Sequence, residues 1–451
     1  MIHAFTACGR RMALDVGSGA VHALDDLAYE AVKQWETLPR EALGALLCAS
    51  FPREEVEEVL DELSELAAQG QLGADDRYDL EPSPPGVVKA MCLHAAHDCN
   101  LRCRYCFASQ GDYHDRDRSL MSPAVGKAAL DWLVRKSGGR HSLEVDFFGG
   151  EPLMNFDAVR EIVAYGRSLE AAHHKRFKFT LTTNALGLTD EVIGFLNREM
   201  DNVVLSLDGR PEVHDRMRPT PNGQGSYHLA FPRALKLANA RGQDRYYVRG
   251  TFTRHNLDFD RDVLALADAG FEQISVEPVV ADASCDYALR EEDLPVILDT
   301  YERLAAAYLR RRREGKWFNF FHFMIDLANG PCLRKRLTGC GAGNEYVAVT
   351  PQGDIYPCHQ FVGREGFRMG SVMDGTFDER LQQRFAANHV LAKEACSQCW
   401  ARFYCSGGCA ANAHAKNGDI SRPYDLECQM ERKRLECAMA IVAAEREEAE
   451  G

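Results

Sequence analysis

Between residues 87 and 313, apolar runs of strand length alternate with longer stretches of helical periodicity. The runs "VVKAMCLHA", "LEVDFFGG", "FKFTLTTN", "NVVLSLDG", "YYVRGTFT" and "QISVEPVV" are rich in β-branched and aromatic residues, as buried strands are. Between and after them, apolar positions three and four apart predict helices over roughly 122–137, 155–174, 190–199, 226–240, 258–269 and 290–313. Six β/α repeats predict an α/β fold: a parallel sheet with right-handed crossovers, curled as a partial barrel. Loops at the carboxyl ends of such strands gather into an active site. "CNLRCRYC" follows the first strand and "GGEP" the second.

The flanks read differently. Near the start, "RMALDVGSGAVHALD" predicts strand pieces around a Gly-Ser-Gly turn, and "DLAYEAVKQWE" and "PREEVEEVLDELSELAAQG" predict helices. This small module closes at "EPSPPG", where Pro82, Pro84, Pro85 and Gly86 interrupt any regular element. Toward the other end, eight cysteines lie between Cys332 and Cys428, with only short strand signals such as "EYVAV" and "GDIYP". So loop-rich a segment has little apolar core, and metal is expected to supply its cross-links. The expected domains are 1–86, 87–315 and 316–451.

Charge separates these segments further. The 451-residue chain carries a net charge of −14, which argues against a general nucleic-acid binder or a binder of anionic membranes. Residues 1–86 hold 17 acidic against 6 basic residues. Strands followed by helices are also compatible with a winged helix on DNA, but a local net of −11 would repel the phosphate backbone. A solvated helical face in "REEVEEVLDELSE" accounts for roughly half of that charge. The amino terminus lacks a basic segment followed by an apolar stretch, and no run of about eighteen apolar residues occurs. The expected compartment is the cytoplasm, where clustered cysteines act as metal ligands or redox groups more readily than as disulfides.

Cys99, Cys103 and Cys106 stand at a C-x3-C-x2-C spacing. Zinc would need a fourth ligand such as His94 or His97, whereas three thiolates on a [4Fe–4S] cube leave one iron open. The triplet resembles the signature of the radical S-adenosylmethionine (SAM) enzymes. Tyr105 and Phe107 would shield the cube. Gly149, Gly150 and Glu151 of "GGEP" resemble that family's loop beside the methionine amino group, and Ser206 and Arg218 match positions that contact ribose and methionine carboxylate. Asn184, closing "TLTTN", is a further candidate. The resemblance implies reductive cleavage of SAM to a hydrogen-abstracting 5′-deoxyadenosyl radical, fed by an external one-electron donor of flavodoxin or ferredoxin type.

The later cysteines run Cys340-x17-Cys358, then Cys396-x2-Cys399-x5-Cys405-x3-Cys409, then Cys428. This pattern is similar to the SPASM extension, which implies two auxiliary [4Fe–4S] clusters and three in all. By that resemblance Cys340, Cys358 and Cys409 hold an inner cluster, and Cys396, Cys399, Cys405 and Cys428 an outer one. Cys332 is a candidate fourth ligand of the inner cluster; otherwise that iron is open to a substrate thiolate. Cys8, Cys48, Cys92, Cys285 and Cys437 fit no ligand pattern and read as small buried hydrophobes.

The amino-terminal module resembles leader-peptide recognition domains, which bind a leader as an added strand. The whole arrangement is similar to the SCIFF-peptide maturases. That implies thioether bonds, as in sactipeptides and ranthipeptides, in a cysteine-rich precursor peptide bound through its leader, without nucleic acid or membrane as partner. Alternatives are a carbon–carbon cross-linking relative or an anaerobic sulfatase-maturing enzyme. The latter carry an aspartate where "IYPCHQF" has His359, which leaves His359 as a donor near the cluster or a polar neighbour.

Overall fold

The computed structural model describes residues 1–75, 86–113, 118–327 and 336–450. Cys332 and most of the proline-rich boundary lie outside them. Seven strands make the barrel wall: β4 (Ala90–Ala96), β5 (Ser142–Gly149), β6 (Arg176–Thr183), β7 (Asn202–Ser206), β8 (Tyr246–Phe252), β9 (Gln273–Pro278) and β10 (Asn319–Phe320). Each pairs in parallel with its neighbour, in the sheet order β10-β9-β8-β7-β6-β5-β4. The predicted helices form the outer layer: α4 (Pro123–Lys136), α5 (Phe156–His173), α6 (Asp190–Glu199), α8 (Tyr227–Ala240), α9 (Phe259–Asp268) and α10 (Leu294–Arg313), with a short α7 (Pro211–Met217) that the pattern does not predict.

Strand alternation divides the wall. Leu143, Val145 and Phe147 of β5 and Phe177, Phe179 and Leu181 of β6 are buried in the apolar core. The opposite positions, including Asp146, Phe148, Thr182, Arg249 and Glu277, point the other way by the period of two. A lumen of mixed polarity results.

The cysteine-rich segment adds to this sheet. The strand β11 (Tyr346–Val349) pairs in parallel with β4, and β12 (Asp354–Tyr356) and β13 (Gly370–Ser371) continue antiparallel, giving ten strands. The C-terminal helix, Asp425–Glu450, packs along α10.

At the amino terminus, β1 (Ile2–Ala7), β2 (Arg10–Asp15) and β3 (Val21–Leu24) form an antiparallel sheet in that order, followed by α1 (Asp26–Gln34), α2 (Arg40–Leu47) and α3 (Arg53–Ala68). Ala13 joins Leu27, Val32, Leu43, Val56 and Leu60 on the helical side. Phe5, Met12 and Leu14 pack instead with Val390, Cys396, Phe403, Leu435 and Met439. The sheet is thus buried on both faces, one of them against the cysteine-rich segment. The acidic residues of α3, including Glu54, Glu55, Glu58 and Glu62, are exposed, as the amphipathic pattern predicts.

Candidate active site

The loop after β4 carries Cys99, Cys103 and Cys106 into a cavity of about 260 Å³. Backbone bonds clamp it: Arg102 N–H donates to Pro219 O at 2.8 Å, and Arg104 N–H to Met217 O at 2.8 Å. The Leu101 N–H lies 3.4 Å from Cys99 Sγ, and Asn184 Nδ2 lies 3.8 Å from the same sulfur. Burial pushes the Cys99 and Cys103 thiols up to about 12 and raises that of Cys106. As free thiols they stay protonated at neutral pH, so a ligand metal must displace their protons.

The "GGEP" turn holds this loop by its backbone. Gly149 has φ +113°, and a Cβ there would meet Ala96 O at 2.3 Å; a Cβ on Gly150 would meet Asp98 O at 2.1 Å. Only glycine lets the two chains approach so closely. The Gly150 N–H donates to Ala96 O at 2.7 Å, and the Glu151 N–H to Asp98 O at 2.9 Å. The buried Glu151 carboxylate accepts from Thr183 Oγ1 at 2.7 Å, Asn184 N at 2.8 Å and Leu153 N at 3.1 Å. Desolvation nevertheless lifts its pKa to about 7. Glu151 therefore positions the end of β6, including Asn184, which in turn donates to Asn100 Oδ1 at 2.7 Å.

Sequence reasoning missed Asp208, although "SLDG" contains it. Asp208 is fully buried. It accepts from Arg218 Nε at 3.0 Å and Nη2 at 3.1 Å, from Tyr105 Oη at 2.6 Å and from Thr251 N at 3.0 Å. The Arg218 guanidinium also lies over the Tyr105 ring, 5.4 Å from its centroid. Ser206, Arg218 and Tyr105 thus share the cavity wall with the three thiols. A charged residue between the end of β7 and Gly209 was the available signal.

The same cavity is also lined by Arg249, ion-paired to Glu277, and by Phe148, His359, Gln360 and Asn412. His359 stacks on Phe148 at 5.0 Å and approaches Phe107 at 5.2 Å, and its Nδ1 is 3.4 Å from Tyr346 Oη. Burial, reinforced by the Arg249 cation, depresses its pKa to about 4, so the imidazole is neutral at pH 7. Part of this lining comes from the cysteine-rich segment, since His359, Gln360 and Asn412 follow Cys358 and Cys409 closely in sequence, and the rest from strands β5, β8 and β9.

The remaining cysteines separate into two groups. Cys396, Cys399, Cys405 and Cys428 line one cavity of about 210 Å³. Cys358 is buried in the neighbourhood of Cys340 and Cys409. Lys393 is buried beside Cys396, Cys405, Cys409 and Cys428 and donates to Gly407 O at 2.8 Å. Among the described residues, neither these groups nor the Cys99 triplet brings three ligand atoms within 4.8 Å of one another. Tetrahedral zinc, with Zn–S near about 2.3 Å, needs its sulfurs closer than that. An all-sulfur donor set with wider spacing fits a four-iron cube.

Two family models match. The radical SAM superfamily covers residues 95–230, and an iron–sulfur cluster-binding domain, SPASM, covers residues 340–400. Mycofactocin maturase MftC of Mycobacterium ulcerans (strain Agy99) is 30% identical over 360 residues, covering 77% of this chain and 90% of the relative. The chain is a radical SAM enzyme with a SPASM domain. Its cofactors are S-adenosylmethionine and [4Fe–4S] clusters. Among solved structures, native anSMEcpe with bound AdoMet shares the fold at TM-score 0.64 and 19% identity, covering 79% of this chain and 98% of that one. Streptococcus suis SuiB bound to its precursor peptide SuiA aligns at TM-score 0.52 and 16% identity, covering 93% and 97%. No helix among the described residues of this radical SAM enzyme is long and apolar enough to cross a membrane.

Proposed function

We propose that this radical SAM enzyme forms thioether bonds between cysteine sulfur and an acceptor carbon in a cysteine-rich precursor peptide. The observation that carries the reading is one shared cavity, lined both by the Cys99 triplet and Arg218 of the barrel and by His359, Gln360 and Asn412 of the cysteine-rich segment. A peptide in this cavity lies beside the Cys99 triplet and beside Gln360, whose Nε2 is 3.9 Å from Cys409 Sγ of the inner set. Cys99, Cys103 and Cys106 hold the SAM-binding cluster; Cys340, Cys358 and Cys409 hold the inner auxiliary cluster; Cys396, Cys399, Cys405 and Cys428 hold the outer one. When bound, these groups supply a hydrogen-abstracting 5′-deoxyadenosyl radical and one-electron acceptors for bond formation.

The chain's own residues orient the reactants. Asn184, Ser206 and Arg218 receive the SAM molecule, with Arg218 fixed by Asp208. Phe107, Phe148, Val279 and Val280 limit water at the reacting centre. The Arg249–Glu277 pair offers a fork of donors and a carboxylate for the peptide backbone. A neutral His359 leaves the position after Cys358 without the anionic base that the sulfatase-maturing relatives carry there.

Residues 1–86 serve as the leader-recognition module. Within the described residues β3 pairs only with β2, so its other edge can accept an added strand. The acidic excess of the module, 17 acidic against 6 basic residues, favours a basic leader.

Co-expression with a neighbouring cysteine-rich open reading frame, followed by fragmentation mass spectrometry, tests the reading. Each thioether lowers the peptide mass by two hydrogens and blocks one cysteine from alkylation. Conversion of a cysteine to an aldehyde would establish the sulfatase-type activity instead.

A further inference from the structure

Cys8, Glu302 and Cys437 bring three potential ligand atoms within 4.8 Å of one another. The three residues come from separate elements: the β1–β2 turn, α10 and the C-terminal helix. None belongs to the cluster sets above.

The turn delivers Cys8 in an unusual conformation. Cys8 has φ +52° and Gly9 φ +73°, the left-handed pair of a two-residue hairpin turn that ordinarily selects Asn, Asp or Gly at the first position. The Cys8 N–H donates to Glu302 Oε2 at 2.6 Å, fixing the turn against α10. Cys437 is fully buried, with its Sγ within 4.8 Å of Cys8 Sγ. Lys433, one turn earlier on the same helix, pairs with the other Glu302 oxygen.

We propose that Cys8, Glu302 and Cys437 bind one zinc ion, stapling the amino-terminal hairpin to α10 and the C-terminal helix. Two thiolates and a carboxylate carry three negative charges, which a divalent ion and the Lys433 ammonium together balance. Each Glu302 oxygen retains a lone pair beyond its present hydrogen bond. A cleft lined by Cys8, Arg10, Glu302, Arg303 and Arg313 opens on the site and admits water as fourth ligand. The three arginines do not compete for the thiolates, since they are paired with Glu447, with Asp260 and Asp299, and with Glu448. The ligand atoms are too close together for a four-iron cube, so this site and the cluster sites select different metals by spacing. The assignment stands whether or not the module binds a leader.

The test is metal analysis and zinc K-edge X-ray absorption of the full-length, anaerobically reconstituted enzyme after exposure to zinc and dialysis. The expected result is about one zinc per chain with two sulfurs near about 2.3 Å and two lighter ligands near about 2.0 Å. Cys8→Ala, a substitution at a partly exposed turn, should lose the zinc and retain the full iron content. Cys437→Ala should do the same, and Cys8→Ala alone decides the matter if that variant does not fold. Wild-type protein without zinc would overturn the proposal. So would zinc retained in Cys8→Ala with four sulfur ligands, or a Cys8–Cys437 disulfide in the anaerobically isolated protein.

Discussion

Replacing Asp208 by asparagine keeps the side-chain volume and removes its charge. Four donors converge on the two oxygens of this fully buried carboxylate: two from Arg218, one from Tyr105 and one from Thr251. Asparagine offers one acceptor oxygen and turns an amide toward the remaining donors. Removing one partner of a buried ion pair costs about 3–5 kcal/mol, because the other charge is stranded. The Tyr105 hydrogen bond to a charged acceptor is worth about 1.5–3 kcal/mol, but it belongs to the same network and does not add in full. The expected destabilisation of Asp208→Asn is therefore about 4 kcal/mol, read as a lower urea midpoint of the reconstituted enzyme under anaerobic conditions. Arg218 also loses its orientation toward the cavity, so equilibrium dialysis should show SAM affinity reduced at least about tenfold. Combining Asp208→Asn with Arg218→Met should restore part of the stability by removing the stranded cation, while SAM binding stays weak. A loss below about 1 kcal/mol, or unchanged SAM binding, would refute the role assigned to this pair.

Replacing Cys99, Cys103 and Cys106 together by alanine should abolish 5′-deoxyadenosine formation and lower the iron content by about four per chain; full iron retention would contradict the ligand assignment. Cys332→Ala should leave the inner cluster and cross-linking intact, and loss of that cluster's electron paramagnetic resonance signal would make Cys332 its fourth ligand. Lys393→Met removes a buried cation from between the two auxiliary sets and should shift their reduction potentials negative by roughly tens of millivolts, measured by anaerobic redox titration. Asp146, raised by burial from 3.8 to about 7, holds its proton longer in the folded than in the unfolded state. Stability therefore falls as pH rises from about 4 to 7 and levels off above, so Asp146→Asn should gain on wild type across that window. A pH-independent difference between the two would count against it.

The barrel was legible because its strands and helices are long enough to carry their own periodicity. The six predicted helices agree with the observed ones to within a few residues at each end, and α7, at seven residues, was too short to register. "EYVAV" and "GDIYP" signalled β11 and β12, but not that β11 pairs with β4 and extends the barrel sheet; the two-residue β10 and β13 gave no signal, since strands so short are defined by their partners more than by their own sequence. In the site, the cysteine spacings singled out the thiols as candidates, but gave no sign that His359 and Arg249, from elements far apart in the chain, line the same cavity. Asp208 sat within a recognised motif, yet its four donors come from three separate segments. Cys8, Glu302 and Cys437 had no signal at all: nothing local joins a turn at residue 8 to helices beginning at residues 294 and 425.

The doubly buried amino-terminal sheet has a consequence for biosynthesis. Its helices α1 to α3 emerge from the ribosome immediately after it and can cover one face at once. Phe5, Met12 and Leu14 on the other face must wait for Val390, Phe403 and Met439. At 5–20 residues per second, the roughly 370 intervening residues take about 20–75 s to synthesise. Throughout that interval the nascent chain displays an apolar sheet face with no partner, a target for chaperones or for a second nascent copy. A fragment ending at residue 75 keeps this face exposed permanently and should associate or precipitate, whereas the full-length enzyme buries it.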